Sequence, residues 1–188
     1  LSDLTAGGRF KHTPPTGAKA LNQDNLDDTA SKVTAWAWIK NRDATDSHIL
    51  VDRIRGVGKT VTTDTTTTTP ETTNTNTVQR FLQRGVQVGS DVQVNTANES
   101  YVLWQWLIGD SATTGTTNES GSLDSTVIAA DAGHFSVVSW TGNTTAGATV
   151  GHGMGGTPEF IIAIARAESG ENKPIFHVDA VTSDTRHI

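Results

Sequence analysis

The chain has 188 residues, of which 35% are hydrophobic and 18% charged, with a formal net charge of -6 and no cysteine. That length suits one domain or two small ones. The negative balance opposes binding to nucleic-acid backbones and to anionic membranes, and the missing thiols exclude disulfides and Cys-ligated zinc.

Residues 1–31 carry no sustained periodicity. Pro14, Pro15 and Gly17 favour an extended path, so this stretch reads as an arm or linker that docks on a neighbouring module. It starts at Leu1 without Met or an apolar leader, as expected of a processed product or a piece of a longer polypeptide. No apolar run approaches the roughly 20 residues that span a bilayer, so membrane insertion is not expected.

The first strong strand is KVTAWAWIKNR, with Val33, Ala35, Ala37 and Ile39 on one face and Thr34, Trp36, Trp38 and Lys40 on the other. Both faces carry apolar groups, which predicts a central strand. DATDS supplies turn chemistry, and HILVDRIRG then alternates as the second arm of a hairpin. TTDTTTTTPETTNTNT has no apolar face and reads as an exposed loop or extended ribbon, with an O-glycosylated stalk as the functional alternative. In VQRFLQRGVQV, Val78, Phe81 and Leu82 suit either a short helix or a strand, and Val86 and Val88 alternate. ESYVLWQWLIGD is the third strong strand, with Tyr101, Leu103, Gln105 and Leu107 facing opposite to Val102, Trp104, Trp106 and Ile108. Residues 109–122 read as a loop. STVIAA, HFSVVSW and ATVGHG follow as strands, then EFIIAIAR as a buried strand with KPIFHVDAV as its hairpin partner. Strand signals about 8–12 residues apart predict an all-β fold, a sandwich or jelly-roll-like arrangement. AWIKNRDATDSHILV and IIAIARAESGENKPIFHV share a layout of strand, Arg42 or Arg166, polar turn and strand, which implies two related β units. The expected organisation is an arm at 1–31, a first unit at 32–130 with the Thr-rich loop, and an incomplete second unit at 131–188.

Motifs for chemistry are weak. GHGMGG matches GxGxxG through Gly151, Gly153 and Gly156, but Thr157 and Pro158 lead into a strand, whereas a dinucleotide site needs a helix there. RGVGKT has Arg53 where a phosphate-binding loop requires glycine. There is no G-x-S-x-G elbow and no pair of histidines at metal-ligand spacing. Asp43, Asp46 and His48 share one turn; carboxylates there ordinarily bond backbone amides, and the alternative is a calcium site that rigidifies the loop. The sequence thus argues for no cofactor and against an enzyme. The tryptophans are more suggestive. Trp36 and Trp38 share a face, as do Trp104 and Trp106; one reading is core packing, the other a carbohydrate platform or subunit interface.

WIKNRDATDSHILVDRIRG, VGSDVQVNTANESYVLWQW, FSVVSWTGN and ATVGHGMGGTPEFIIAIAR together resemble an uncharacterised β-rich repeat family of structural proteins from tailed bacteriophages, marine ones among them. FKHTPPTGAKALNQDNL is similar to the linker that follows SPRY-like, lectin-type domains in such proteins. The resemblance implies a virion protein of the tail fibre or particle surface, a homo-oligomer, expected to be trimeric, packing with other virion proteins and contacting a host glycan or protein. A capsid decoration or filament subunit assembling through residues 1–31 is the alternative, and a carbohydrate-binding module the next.

Overall fold

The computed structural model describes residues 33–64, 71–82, 85–108, 115–130, 133–167 and 173–180. The expected arm at 1–31 lies outside them. The described residues form an all-β protein of several antiparallel sheets. The main sheet has five strands, β1 (Thr34–Asn41), β2 (Ile49–Asp52), β3 (Lys59–Thr62), β4 (Glu71–Thr73) and β7 (Tyr101–Leu107), in the order β4-β3-β2-β1-β7. β1 is central, as its two apolar faces predict, and it pairs β2 through Ile39–Ile49 and Ala37–Val51. β5 (Val78–Leu82) and β6 (Gly85–Val88) make a separate hairpin. A single helical turn, α1 (Val92–Asn95), follows.

The hairpin and α1 cover one face of the main sheet. Val33, Ala37 and Ile39 of the β1 segment, Ile49 and Val51 of β2, Val78 and Phe81 of β5 and Val94 of α1 form one buried cluster. Alanine at position 37 keeps that face of β1 low, so that the covering elements approach closely. Asp91 caps α1 by accepting from the Gln93 amide at 2.9 Å. The Tyr101 hydroxyl donates to the Val92 carbonyl at 2.6 Å and accepts from the Thr96 amide at 2.9 Å, which ties the turn to β7.

A three-stranded sheet holds β8 (Thr116–Asn118), β9 (Ser125–Ala129) and β10 (Ser136–Trp140) in the order β10-β9-β8. Ile128 of β9 joins Ala35 and Ile108 in a second buried cluster, which fastens this sheet to the main one. β9 and β10 lie on either side of residue 130 and pair along their whole length, Ser136–Ala129 to Trp140–Ser125. β11 (Phe160–Ile162) and β12 (Ile175–His177) form the last hairpin, in the expected pairing, and a 3-10 turn spans Val178–Ala180.

Four expectations are corrected. The Thr-rich stretch is not simply a loop: Glu71–Thr73 is a paired edge strand beside Lys59–Thr62, with the Thr60 and Thr72 hydroxyls 2.9 Å apart. An edge strand gains its main-chain bonds without an apolar face, and β-branched threonine suits it. Residues 65–70 lie outside the described residues. Within the expected loop at 109–122, Thr116–Asn118 pairs with β9. ATVGHG is not a strand; it makes one parallel bridge, Leu123–Val150, and Gly153 has φ +69, which breaks extension. EFIIAIAR is not buried: Phe160, Ile161 and Ile162 are exposed, Phe160 by 54%, because among the described residues β11 has β12 as its one paired neighbour.

Candidate functional site

The register between β1 and β7 sets Trp36 opposite Trp106 and Trp38 opposite Trp104. Strand alternation puts Val33, Ala37 and Ile39 into the core and turns the tryptophans the other way. Two same-face pairs from distant segments thereby become one array. Ring centroids lie 4.4 Å apart for Trp36 and Trp106, 5.5 Å for Trp38 and Trp104, and 6.0 Å for Trp36 and Trp38. Phe135 stacks on Trp106 at 5.9 Å and extends the array toward the three-stranded sheet. Each favourable aromatic pair adds about 0.5–1.5 kcal/mol beyond its buried area. The inner pair is half-buried, whereas Trp104 and Trp106 remain 45% and 41% exposed on the edge strand. Leu103 and Leu107 of β7 are exposed as well. The rings meet at interplanar angles of 72°, 70° and 55°, so they interlock rather than form a flat platform.

His48, Asp43 and Asp46 border this face, and each has a structural partner. The Trp38 indole N–H donates to His48 Nδ1 at 3.1 Å, which requires a lone pair on that nitrogen. The Asp43 carboxylate accepts from the Ser100 amide at 2.5 Å, and this bond holds its carboxyl below the ordinary range. Asp46 accepts from Asn41 Nδ2 at 2.7 Å. Asn41, fully buried at the end of β1, also donates to Glu99 at 2.6 Å and accepts from the Asp43 amide at 3.0 Å. The asparagine thus organises the turn, a role the acidic residues around it obscure in the sequence. Among the described residues no three His, Asp or Glu side chains are grouped to hold a metal ion. GHGMGG and RGVGKT lead toward β11 and β3, not into helices. Gly151 packs so closely that a Cβ would lie 2.2 Å from the Ser120 carbonyl oxygen, which explains the glycine without a ligand.

A ladder of charges joins the sheets on the tryptophan side. Arg55 pairs with Asp52, and its Nη1 lies 3.6 Å from Glu71. Glu71 accepts from Arg166 Nε at 2.8 Å and Nη2 at 3.1 Å, and Arg166 Nη1 donates to Ser139 Oγ at 2.9 Å. The hydrogen bonds from Arg166 hold the Glu71 carboxyl below its usual range, against partial burial that pushes it up. The same contact raises Arg166. A depressed carboxyl contributes stability that is complete above its unfolded pKa, about 4.3, and is lost as pH falls through the lower folded value. Accordingly, the urea midpoint of the native chain should fall more between about pH 5 and pH 3 than that of Glu71→Gln, which lacks the titrating group. Parallel curves for the two proteins would show that the ladder contributes nothing.

The fold and this face define an all-β, strand-paired protein that, among the described residues, presents an aromatic sheet edge. The chain belongs to the family described as Domain of unknown function (DUF7483), whose model matches residues 16–188. Comparison with curated proteins and with solved structures found no match.

Proposed function

We propose that this chain is a non-catalytic structural module of a virion, in the tail fibre or on the particle surface, that packs against copies of itself in a symmetric oligomer and contacts the host surface. One observation carries the assembly part. β7 is a seven-residue strand at the end of the main sheet, with β1 as its neighbour on one side and Leu103, Trp104, Trp106 and Leu107 exposed along it. A long apolar edge is a template for pairing with another chain, and proteins ordinarily shorten, charge or cover such an edge. The interlocked rings favour protein packing over sugar stacking on this face. The virion setting rests on the resemblance of the segments around WIKNRDATDSH and GSDVQVN to tailed-phage structural proteins.

The same edge, unpaired on its outer side among the described residues, favours a second reading, a decoration or filament subunit in which residues 1–31 of one copy add a strand to β7 of the next. Amide hydrogen exchange tests both. Every second amide of β7 points away from β1, and these should exchange more slowly in concentrated than in dilute protein. If the protection disappears when residues 1–31 are deleted, the arm is the occupant; if it persists, β7 pairs with a copy of the folded module. Exchange along β7 that is independent of concentration in the full chain would refute assembly through this edge.

A further inference from the structure

The exposed apolar side chains are concentrated on two surfaces. Of the twelve large ones exposed among the described residues, nine lie on β7 or on the β11–β12 hairpin with the turn at Val178. The hairpin register, Phe160–His177, Ile161–Phe176 and Ile162–Ile175, puts Phe160, Ile162 and Ile175 on one face and Ile161 on the other. All four are exposed, so both faces meet solvent. A two-stranded hairpin is at best marginally stable alone in water, and a large exposed apolar patch marks an interaction surface.

The hairpin is fastened at the end of the main sheet opposite to β7. Its main-chain bonding continues to Ala163, whose amide donates to the Pro174 carbonyl at 3.0 Å. Three residues further on, the Arg166 carbonyl accepts from the Glu71 amide at 3.2 Å, and the Arg166 guanidinium holds the Glu71 carboxylate. Glu71 belongs to β4, and the order β4-β3-β2-β1-β7 places β4 four strand steps from β7. At about 4.8 Å per step that is roughly 19 Å. Within one chain the two surfaces stay unjoined: among the described residues β7 pairs with β1 alone and β11 with β12 alone.

A second copy supplies what each surface lacks. Neither β7, β11 nor β12 carries an Asp, Glu, Lys or Arg, so joining them buries no such charge. Two β7 strands paired with each other would leave the hairpin uncovered and stop at a dimer. Contact between two different surfaces instead repeats head to tail and closes into a ring, the geometry a trimer requires. We infer that the β11–β12 hairpin of one copy docks on the β7 edge of the next and extends its main sheet. The inference rests on the assembly reading and names the partner of that edge.

The test mixes two variants whose strand content is first verified by circular dichroism. Trp104→Asp with Trp106→Asp disables β7 and leaves the hairpin intact; Phe160→Asp with Ile162→Asp does the reverse. In sedimentation velocity each variant alone should be a monomer, and their equimolar mixture a 1:1 heterodimer, because the mixture holds one intact pair of surfaces. A hairpin variant that assembles like the native chain, or two monomeric variants that stay apart when mixed, would overturn the docking and leave assembly through β7 standing. A native chain that is itself monomeric would remove the assembly reading, and the docking with it. Amide exchange in the native chain guards against a hairpin that fails to form in its variant. Amides of β11 and β12 should slow with concentration together with those of β7, and slowing at β7 alone would also overturn the docking.

Discussion

Replacing Ile49 by alanine is expected to lower the unfolding free energy by about 2–5 kcal/mol. The side chain is fully buried on β2, opposite Ile39 of β1, and belongs to the cluster that also holds Val51, Val78, Phe81 and Val94. Its removal strips apolar contacts and leaves a cavity at the seam between the main sheet and the β5–β6 hairpin. β1, β2 and β5 are all paired with neighbours, so the walls have little freedom to collapse. A domain is ordinarily stable by about 5–15 kcal/mol in total, so this single change approaches the margin of folding. Leu103→Ala, on the same side of the sheet but on its outermost described strand, should cost far less, because much of that side chain already meets water. Urea unfolding of the two variants measures the contrast: the Ile49→Ala midpoint should drop steeply with the slope unchanged. Equal losses would mean that β7 is as deeply packed as β2.

Much of the fold was legible because burial on one face forces a period of two. Val33, Ala37 and Ile39 showed the core face of β1 directly, and the turn residues after Asn41 marked the hairpin; Ala35, expected on the same face, packs instead in the second cluster, where the register shifts between Thr34 and Trp36. The pairing of β11 with β12 followed from the same signals. Exposure did not follow. The run from Phe160 to Ile164 has the composition of a buried strand, yet what buries a strand is its neighbours, which the run itself does not encode. Short polar edge strands such as β4 and β8 left little mark for the converse reason: with no face to bury, Glu71–Thr73, open between loop and ribbon, and Thr116–Asn118, read as loop, carry no alternation. The α1 turn was hidden because Val92 and Val94 are spaced as in a strand, and the Asp91 cap is the one local signal for it.

The candidate site was half legible. Alternation alone put Trp36 with Trp38, and Trp104 with Trp106, each pair on one face. That the two pairs meet depends on the β1–β7 register, which joins segments far apart in the chain. Long-range pairing likewise hid the Asn41 network and the Glu71–Arg166 contact, both assembled from segments with no common local pattern.

The second large effect concerns the edge. Converting Trp104 and Trp106 together to aspartate removes two exposed rings and places two carboxylates along β7. Buried aromatic anchors at interfaces commonly contribute about 2 kcal/mol or more each, roughly thirtyfold in dissociation constant per residue. Repulsion between copies adds to that loss. Both rings are near half-exposed in the single chain, and the Val33–Ile49–Phe81 core lies on the opposite face, so the variant should retain its strand content. Sedimentation equilibrium of the native chain and the double variant over the same concentrations is the decisive comparison. The native chain should form a defined oligomer and the variant a folded monomer; a native chain that stays monomeric, or a variant that assembles equally well, would rule out assembly through β7.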